Sequence, residues 1–281
     1  MRWNQVTIVG TGLIGGSLGL ALKAGGLAGR VVGVGHRPAT LDRARACGAA
    51  DVTTLDLVEG VRGSDLVVLA TAVGLFERLL AQAAEALAPG AVVIDVGSTK
   101  GEVVRRLEPL VPPGRAFLGC HPIAGSEKRG IDHARADLFR GAVCVLTPTP
   151  RTPPEALARV SATWKALGMR ILVMDPEAHD RLLAEASHLP HVVAAALART
   201  LRPEAAPLTG TGWADTTRVA GGDPGLWRDI VMTNREGLLR ALGRLEGALA
   251  EFRRAVETGD EAAVERFLAE AKAARDRVAE G

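Results

Sequence analysis

Residues 119–130 read Gly-Cys-His-Pro-Ile-Ala-Gly-Ser-Glu-Lys-Arg-Gly and put His121, Glu127 and Lys128 within eight residues. The stretch follows a strand-like run, 115–118. A histidine at a strand end, on a loop shaped by proline and glycine, suits proton transfer. The same composition also makes ordinary turns, so the other candidate residues decide its weight.

Gly10-Thr11-Gly12-Leu13-Ile14-Gly15-Gly16-Ser17 directly follows a short β-branched run and opens an Ala/Leu-rich helical stretch. In that context Gly-x-Gly-x-x-Gly is a dinucleotide fingerprint. Gly10 allows the tight turn, Gly12 lets backbone approach a pyrophosphate, and Gly15 lets helix and strand pack closely. The helix N-terminus then offers unpaired N–H groups and a positive dipole end. Cofactor contacts are expected from Gly10, Gly12, Leu13, Ile14, Gly15 and Thr71. An NAD site wants a carboxylate at the end of the second strand, for the ribose 2′-OH. Here that strand exits into Gly35-His36-Arg37-Pro38, and the first acidic residue after it is Asp42. Arg37, with His36 beside it, suits a 2′-phosphate instead. NADP is therefore expected to be favoured over NAD.

Three further groups could act on a substrate. Ser98 and Lys100 lie on the loop 96–101, after a buried strand, where ligands of such folds sit. Ser187-His188-Leu189-Pro190-His191 offers two histidines, but no third ligand stands nearby in sequence, so no metal site is expected. Residues 215–229 hold Arg218 and Arg228 close to Trp227, and arginine suits a carboxylate-bearing substrate. An ion-paired surface arginine and a core tryptophan would look the same in sequence.

The elements that must position these groups alternate. Strands are expected at 5–9, 30–34, 51–54, 65–70, 91–96, 115–118, 142–147 and 170–174, with helices at 17–24, 38–47, 76–87 and 154–167. Strands without polar alternation indicate a parallel sheet covered on both faces. The fold class is thus α/β, a Rossmann-type doubly wound parallel sheet followed by an all-helical C-terminal domain. From Asp175 no strand is expected: 175–200 reads as a helix kinked at Pro190, 226–258 as one long amphipathic run, and 260–278 as another with Asp260 as N-cap. The expected domains are 1–174 for the dinucleotide and 175–281 for substrate binding and dimerisation.

Composition excludes several function classes. The chain has 281 residues, and 34 Lys+Arg stand against 32 Asp+Glu, so no polyanion-coating surface is expected and nucleic acid is not a partner. The three cysteines, Cys47, Cys120 and Cys144, form no CxxC, which fits a reducing cytoplasm. No apolar run reaches the length of a membrane span, and the first residues do not read as a signal peptide.

Taken together, the residues resemble the prephenate/arogenate dehydrogenases of tyrosine biosynthesis. The resemblance rests on 10–17, on Asp95-Val96-Gly97-Ser98-Thr99-Lys100-Gly101, on 121–128 with Gly130, and on 187–191 followed by Thr216-Thr217-Arg218 and Trp227-Arg228-Asp229. It spans nearly the whole chain in order. It implies an NAD(P)-dependent oxidative decarboxylation: hydride leaves the hydroxyl-bearing ring carbon and the ring carboxylate departs as CO₂. The implied catalytic residues are His121, taking the hydroxyl proton, and Ser98, holding that hydroxyl or orienting His121. The implied substrate-binding residues are Arg218, which would pair with a carboxylate, His191, Glu127, Ser126, Asp180 and Trp227. A homodimer through the C-terminal helices is implied as well.

The chain departs from the pattern at Thr71-Ala72-Val73, where the family usually has a central proline. It is expected to lack the regulatory ACT and chorismate mutase domains of some relatives. Prephenate is the expected substrate and arogenate the alternative. Two other readings stay open. One is a β-hydroxyacid dehydrogenase or imine reductase-like enzyme, although 175–189 lacks the lysine such enzymes use. The other is a non-catalytic NADP-binding dimeric sensor.

Overall fold

The computed structural model describes residues 2–124 and 128–279. Ser126 and Glu127 lie outside the described residues.

Among the described residues eight strands form one sheet: β1 (Trp3–Val9), β2 (Ala28–Val34), β3 (Val52–Thr54), β4 (Leu66–Leu69), β5 (Val92–Asp95), β6 (Ala116–Ile123), β7 (Val143–Thr147) and β8 (Arg170–Val173). Their order is β3-β2-β1-β4-β5-β6-β7-β8. The order reverses between β1 and β4, the switch point at which the Gly-rich turn emerges. The sheet is parallel except at one place: β7 runs antiparallel to β6, with His121 opposite Val145. The sheet is thus the expected doubly wound parallel one, with β7 and β8 reversed at one edge. β6 extends to Ile123, well past its parallel pairing with β5, which ends at Leu118. The extension carries His121 beyond the sheet's carboxyl edge while backbone bonds to β7 hold it.

Helices α1 (Leu13–Ala24), α2 (Pro38–Ala46), α3 (Leu57–Val61), α4 (Phe76–Ala83), α5 (Gly101–Leu107) and α6 (Pro154–Ala166) cover both faces. Leu18, Leu22, Val160 and Trp164 pack on one face, and Val61, Phe76, Leu80, Val104 and Leu107 on the other. That two-sided burial is why β4 and β5 read as apolar runs.

Past β8 the chain is helical: α7 (Pro176–Leu183), α8 (Leu189–Thr200), α9 (Thr211–Thr217), α10 (Pro224–Thr233), α11 (Arg235–Thr258) and α12 (Glu261–Ala279). The interruption expected at Pro190 falls earlier. A π-helical turn, Ala184–His188, joins α7 to α8, and Pro190 sits in the first turn of α8. Proline has no N–H for a helical bond to Ala186, and the wider turn absorbs the loss before the ring is reached. The long run expected at 226–258 is also broken. Asn234 leaves helical geometry, and its side-chain amide donates to the Asp180 carbonyl at 2.6 Å. Asp260 caps α12, accepting from Ala263 N at 2.9 Å.

The chain forms two compact units, 1–234 and 235–281. In the second, α11 and α12 pack together through Phe252 and Phe267, ring centroids 5.1 Å apart. Among the described residues no helix is long and apolar enough to cross a membrane.

Candidate active site

The Gly-rich turn is built for a close ligand. Gly10 has φ +104°, and a Cβ there would lie 2.7 Å from the Ala70 carbonyl oxygen. A Cβ on Gly15 would stand 2.0 Å from the Gly10 oxygen, so helix and strand meet only through glycine. At Gly12 the outcome reverses: a Cβ would meet no protein atom within 4 Å. Gly12 caps α1 without a side-chain bond. The N–H groups of Leu13 and Ile14 therefore begin the helix beside open backbone. Thr11 Oγ1 is buried with no partner among the described residues. An uncapped helix start, a side-chain-free approach and an orphaned hydroxyl fit a dinucleotide's phosphates. Thr71 is half-buried beside Gly10, while His36 and Arg37 are exposed at the start of α2.

His121 is 8 % exposed, and its Nδ1 lies 2.9 Å from His179 Nε2. His179, on α7, is fully buried, and its Nδ1 lies 2.8 Å from Asp180 Oδ1. Asp180 also accepts from Lys100 N at 2.7 Å and Gly101 N at 2.8 Å, fixing the loop after β5 and the start of α5. Its observed neighbours are thus backbone and His179. Lys100 Nζ pairs with Asp95 in full burial. Asp95 also accepts from Gly97 N at 2.8 Å and Cys120 N at 3.3 Å, tying the β5 loop to β6. Ser98 is half-buried on that loop, and the hydrogen bond that orients His121 comes from His179.

A second cluster lies around Trp227. His191 stacks on it, centroids 3.5 Å apart and planes 11° from parallel, and His188 meets it edge-on at 6.3 Å. Asn234 Nδ2 donates to His188 Nδ1 at 3.1 Å. His188 Nε2 and His191 Nδ1 are buried without a partner among the described residues. Arg218 is exposed and makes no ion pair among the described residues, whereas Arg228 is paired with Asp229 at 2.7 Å.

Burial, with the neighbouring His179, Lys100 and His188, holds His121 well below the usual imidazole pKa. Burial pushes His188 down to about 4 and lowers His191. These rings are neutral where they work, so His121 is able to accept a proton. The shifts carry a stability consequence. Folded pKa values below the unfolded value near 6.5 mean that the unfolded chain binds more protons between the two. The stabilisation is complete above pH ~6.5 and is lost on acidification below it. Tm is expected to fall from pH 7 to pH 5, and His188→Gln to flatten that slope. A Tm independent of pH in this window would contradict the buried neutral rings.

The residues that sequence reasoning missed are His179, in any role, and Asn234. Lys100 was singled out, but its buried partner Asp95 was read only as part of a motif. Neighbouring His and Asp in one helix carry no local signal for a partner 58 residues away.

Comparison with known proteins gives the family. The prephenate dehydrogenase nucleotide-binding domain matches residues 18–173, and the prephenate dehydrogenase dimerization domain matches 175–270. The cyclohexadienyl dehydrogenase of Zymomonas mobilis is 34% identical over 92% of this chain and 90% of its own. The structure of A. aeolicus prephenate dehydrogenase in complex with hydroxyphenyl propionate and NAD+ superimposes with a TM-score of 0.91, at 32% identity and 99% of both chains. Synechocystis arogenate dehydrogenase gives a TM-score of 0.85, at 31% identity over 98% of this chain and 99% of that one. With its Gly-rich turn, its strand-end histidine and both matched domains, the chain belongs to the prephenate dehydrogenase family of oxidoreductases.

Proposed function

We propose that the protein converts prephenate to 4-hydroxyphenylpyruvate with loss of CO₂, as a step of tyrosine biosynthesis in the cytoplasm, using NADP in preference to NAD. The observation that carries the reading is His121: a neutral ring at the carboxyl edge of the sheet, one nitrogen engaged by His179 and the other making no hydrogen bond among the described residues. A bound nicotinamide dinucleotide supplies the hydride acceptor. Gly10, Gly12, Leu13, Ile14 and Gly15 would hold its pyrophosphate, with Thr71 beside the turn and His36 and Arg37 at the adenosine ribose.

In this reading His121 Nε2 accepts the ring-hydroxyl proton as hydride departs, and Ser98 holds the same hydroxyl. Arg218 pairs with a substrate carboxylate. His191, flat against Trp227, lines the pocket. Glu127 and Ser126, which follow β6 in the sequence, contribute to substrate binding. Asp180 acts at one remove, by holding the 98–101 loop in place. The domains divide at 174/175, the second binding substrate and forming a homodimer. Leu249, Val256 and Leu268 on α11 and α12 are each more than half exposed, which suits a surface that a second copy covers.

Arogenate is the second reading, favoured by the Gly35-His36-Arg37 exit with no carboxylate. Steady-state assays of each substrate with each cofactor decide between the two. Prephenate with NADP should give the highest kcat/KM, and no turnover of either substrate would reject the proposal. Arg37→Ala should narrow the preference for NADP about tenfold or more, since a charge-assisted contact to the 2′-phosphate is worth about 1.5–3 kcal/mol. A kcat/KM with NAD equal to or above that with NADP in the native enzyme would contradict the cofactor assignment.

A further inference from the structure

The base must present a lone pair to the hydroxyl, and an imidazole has two nitrogens with exchangeable roles. We propose that His179 is a positioning residue: it fixes the tautomer of His121 and then takes up the positive charge that proton abstraction creates. The inference rests on the reading of His121 as the base.

The hydrogen-bond chain sets the direction. Asp180 accepts from two backbone N–H groups, so its carboxylate is the acceptor of this cluster, and His179 Nδ1–H donates to it. The other nitrogen of a neutral His179, Nε2, then holds a lone pair. It faces His121 Nδ1 at 2.9 Å, so His121 must supply the proton of that bond. With its proton on Nδ1, His121 keeps the lone pair on Nε2, the nitrogen left for substrate. The two rings meet edge to face, centroids 5.1 Å apart, a packing that holds the bond's direction.

The proton balance follows. The substrate O–H bond breaks and an N–H bond forms at His121 Nε2. The His121 Nδ1–H proton passes to His179 Nε2, and the charge then stands beside the Asp180 carboxylate. The pair returns to its starting form by losing one proton to solvent. The charged and titratable groups that face it are Asp180 from α7, His188 from the π-helical turn, and Lys100 from the loop after β5 with its partner Asp95 at the end of β5. Asp180 is the anion in direct contact with His179, and the Lys100 charge is already matched by Asp95. One consequence is an acid limit. A proton gained from solvent produces the same charged pair, with Nε2 of His121 blocked. The acid limb of kcat/KM therefore belongs to the pair and not to His121 alone.

Two variants and one spectroscopic measurement test this. His179→Phe removes the acceptor and should lower kcat about 10²-fold, with the cofactor Kd unchanged. His179→Gln keeps an acceptor near the Nε2 position but cannot take a proton. It should recover most of that loss while its acid limb moves to lower pH by about one unit or more, since the charge no longer reaches Asp180. A native kcat in His179→Phe, or a His179→Gln profile that superimposes on the native one, would overturn the proposal. Nitrogen-15 NMR of the histidine rings in the full chain, with His121 assigned by its loss in His121→Asn, should show Nδ1 protonated and Nε2 bare. The reverse tautomer would also overturn it. The NMR result needs no turnover. An enzyme inactive on both substrates would thus defeat the functional reading, while the tautomer would still decide the role of His179.

Discussion

His121→Asn is expected to lower kcat by about 10²–10⁴-fold and to leave the cofactor Kd unchanged, because a base at the reacting centre contributes on that scale. Asparagine keeps a polar side chain able to bond His179 while the proton acceptor is lost. The dinucleotide turn lies after β1, three strands away in sheet order, and needs nothing from β6. The loss should appear in kcat and kcat/KM together, as expected for an interaction made in the transition state. A non-catalytic sensor would not notice the substitution. An unchanged kcat in the variant would move the base elsewhere, and an equal loss of cofactor binding would make His121 structural.

Lys100→Met should cost about 3–5 kcal/mol of stability, seen as a lower urea midpoint at an unchanged m-value, and activity should fall with it. Both side chains of the Lys100–Asp95 pair are fully buried. Removing the ammonium leaves the Asp95 carboxylate uncompensated in an apolar surround. That carboxylate also accepts from Gly97 and Cys120 backbone N–H groups, so its rearrangement loosens the β5 loop that carries Ser98 and the strand that carries His121. A paired Lys100→Met, Asp95→Leu variant should regain much of the stability, because apolar replacement of a whole buried ion pair is often neutral or favourable. Activity should stay low in the double variant, since the bonds from Asp95 that align the β5 loop with β6 are gone. A Lys100→Met protein as stable as the native one would show that the pair is dispensable.

Local signals were the legible ones. The Gly-rich turn could be read because strand, turn and helix are contiguous and each glycine answers a steric demand within a few residues. His121 stood out beside Pro122, although it lies within β6 and not on a loop. The central strands β4 and β5 were legible as apolar runs because both faces of the sheet are covered there, whereas β3 and β8 at its edges are partly exposed. The antiparallel placement of β7 was not legible, since a strand's direction leaves no mark on its own composition. The break at Asn234 was hidden by amphipathic periodicity running on both sides of it. It exists because that amide is drawn to the Asp180 carbonyl and His188, contacts that only tertiary packing supplies. Pro190 correctly announced a disturbance in the helix but not that a π turn before it would take up the strain. His179 illustrates the same limit at the site: its neighbour Asp180 was singled out, yet the ring between that carboxylate and His121 acquires its role only when α7 meets β6.

The most direct test of the account is to follow reduced cofactor and released CO₂ together while the native enzyme acts on prephenate. Abstraction of the hydroxyl proton by His121, coupled to hydride loss and decarboxylation, predicts one CO₂ for each reduced nicotinamide, with 4-hydroxyphenylpyruvate accumulating in step. Reduced cofactor without CO₂, or neither product, would contradict it.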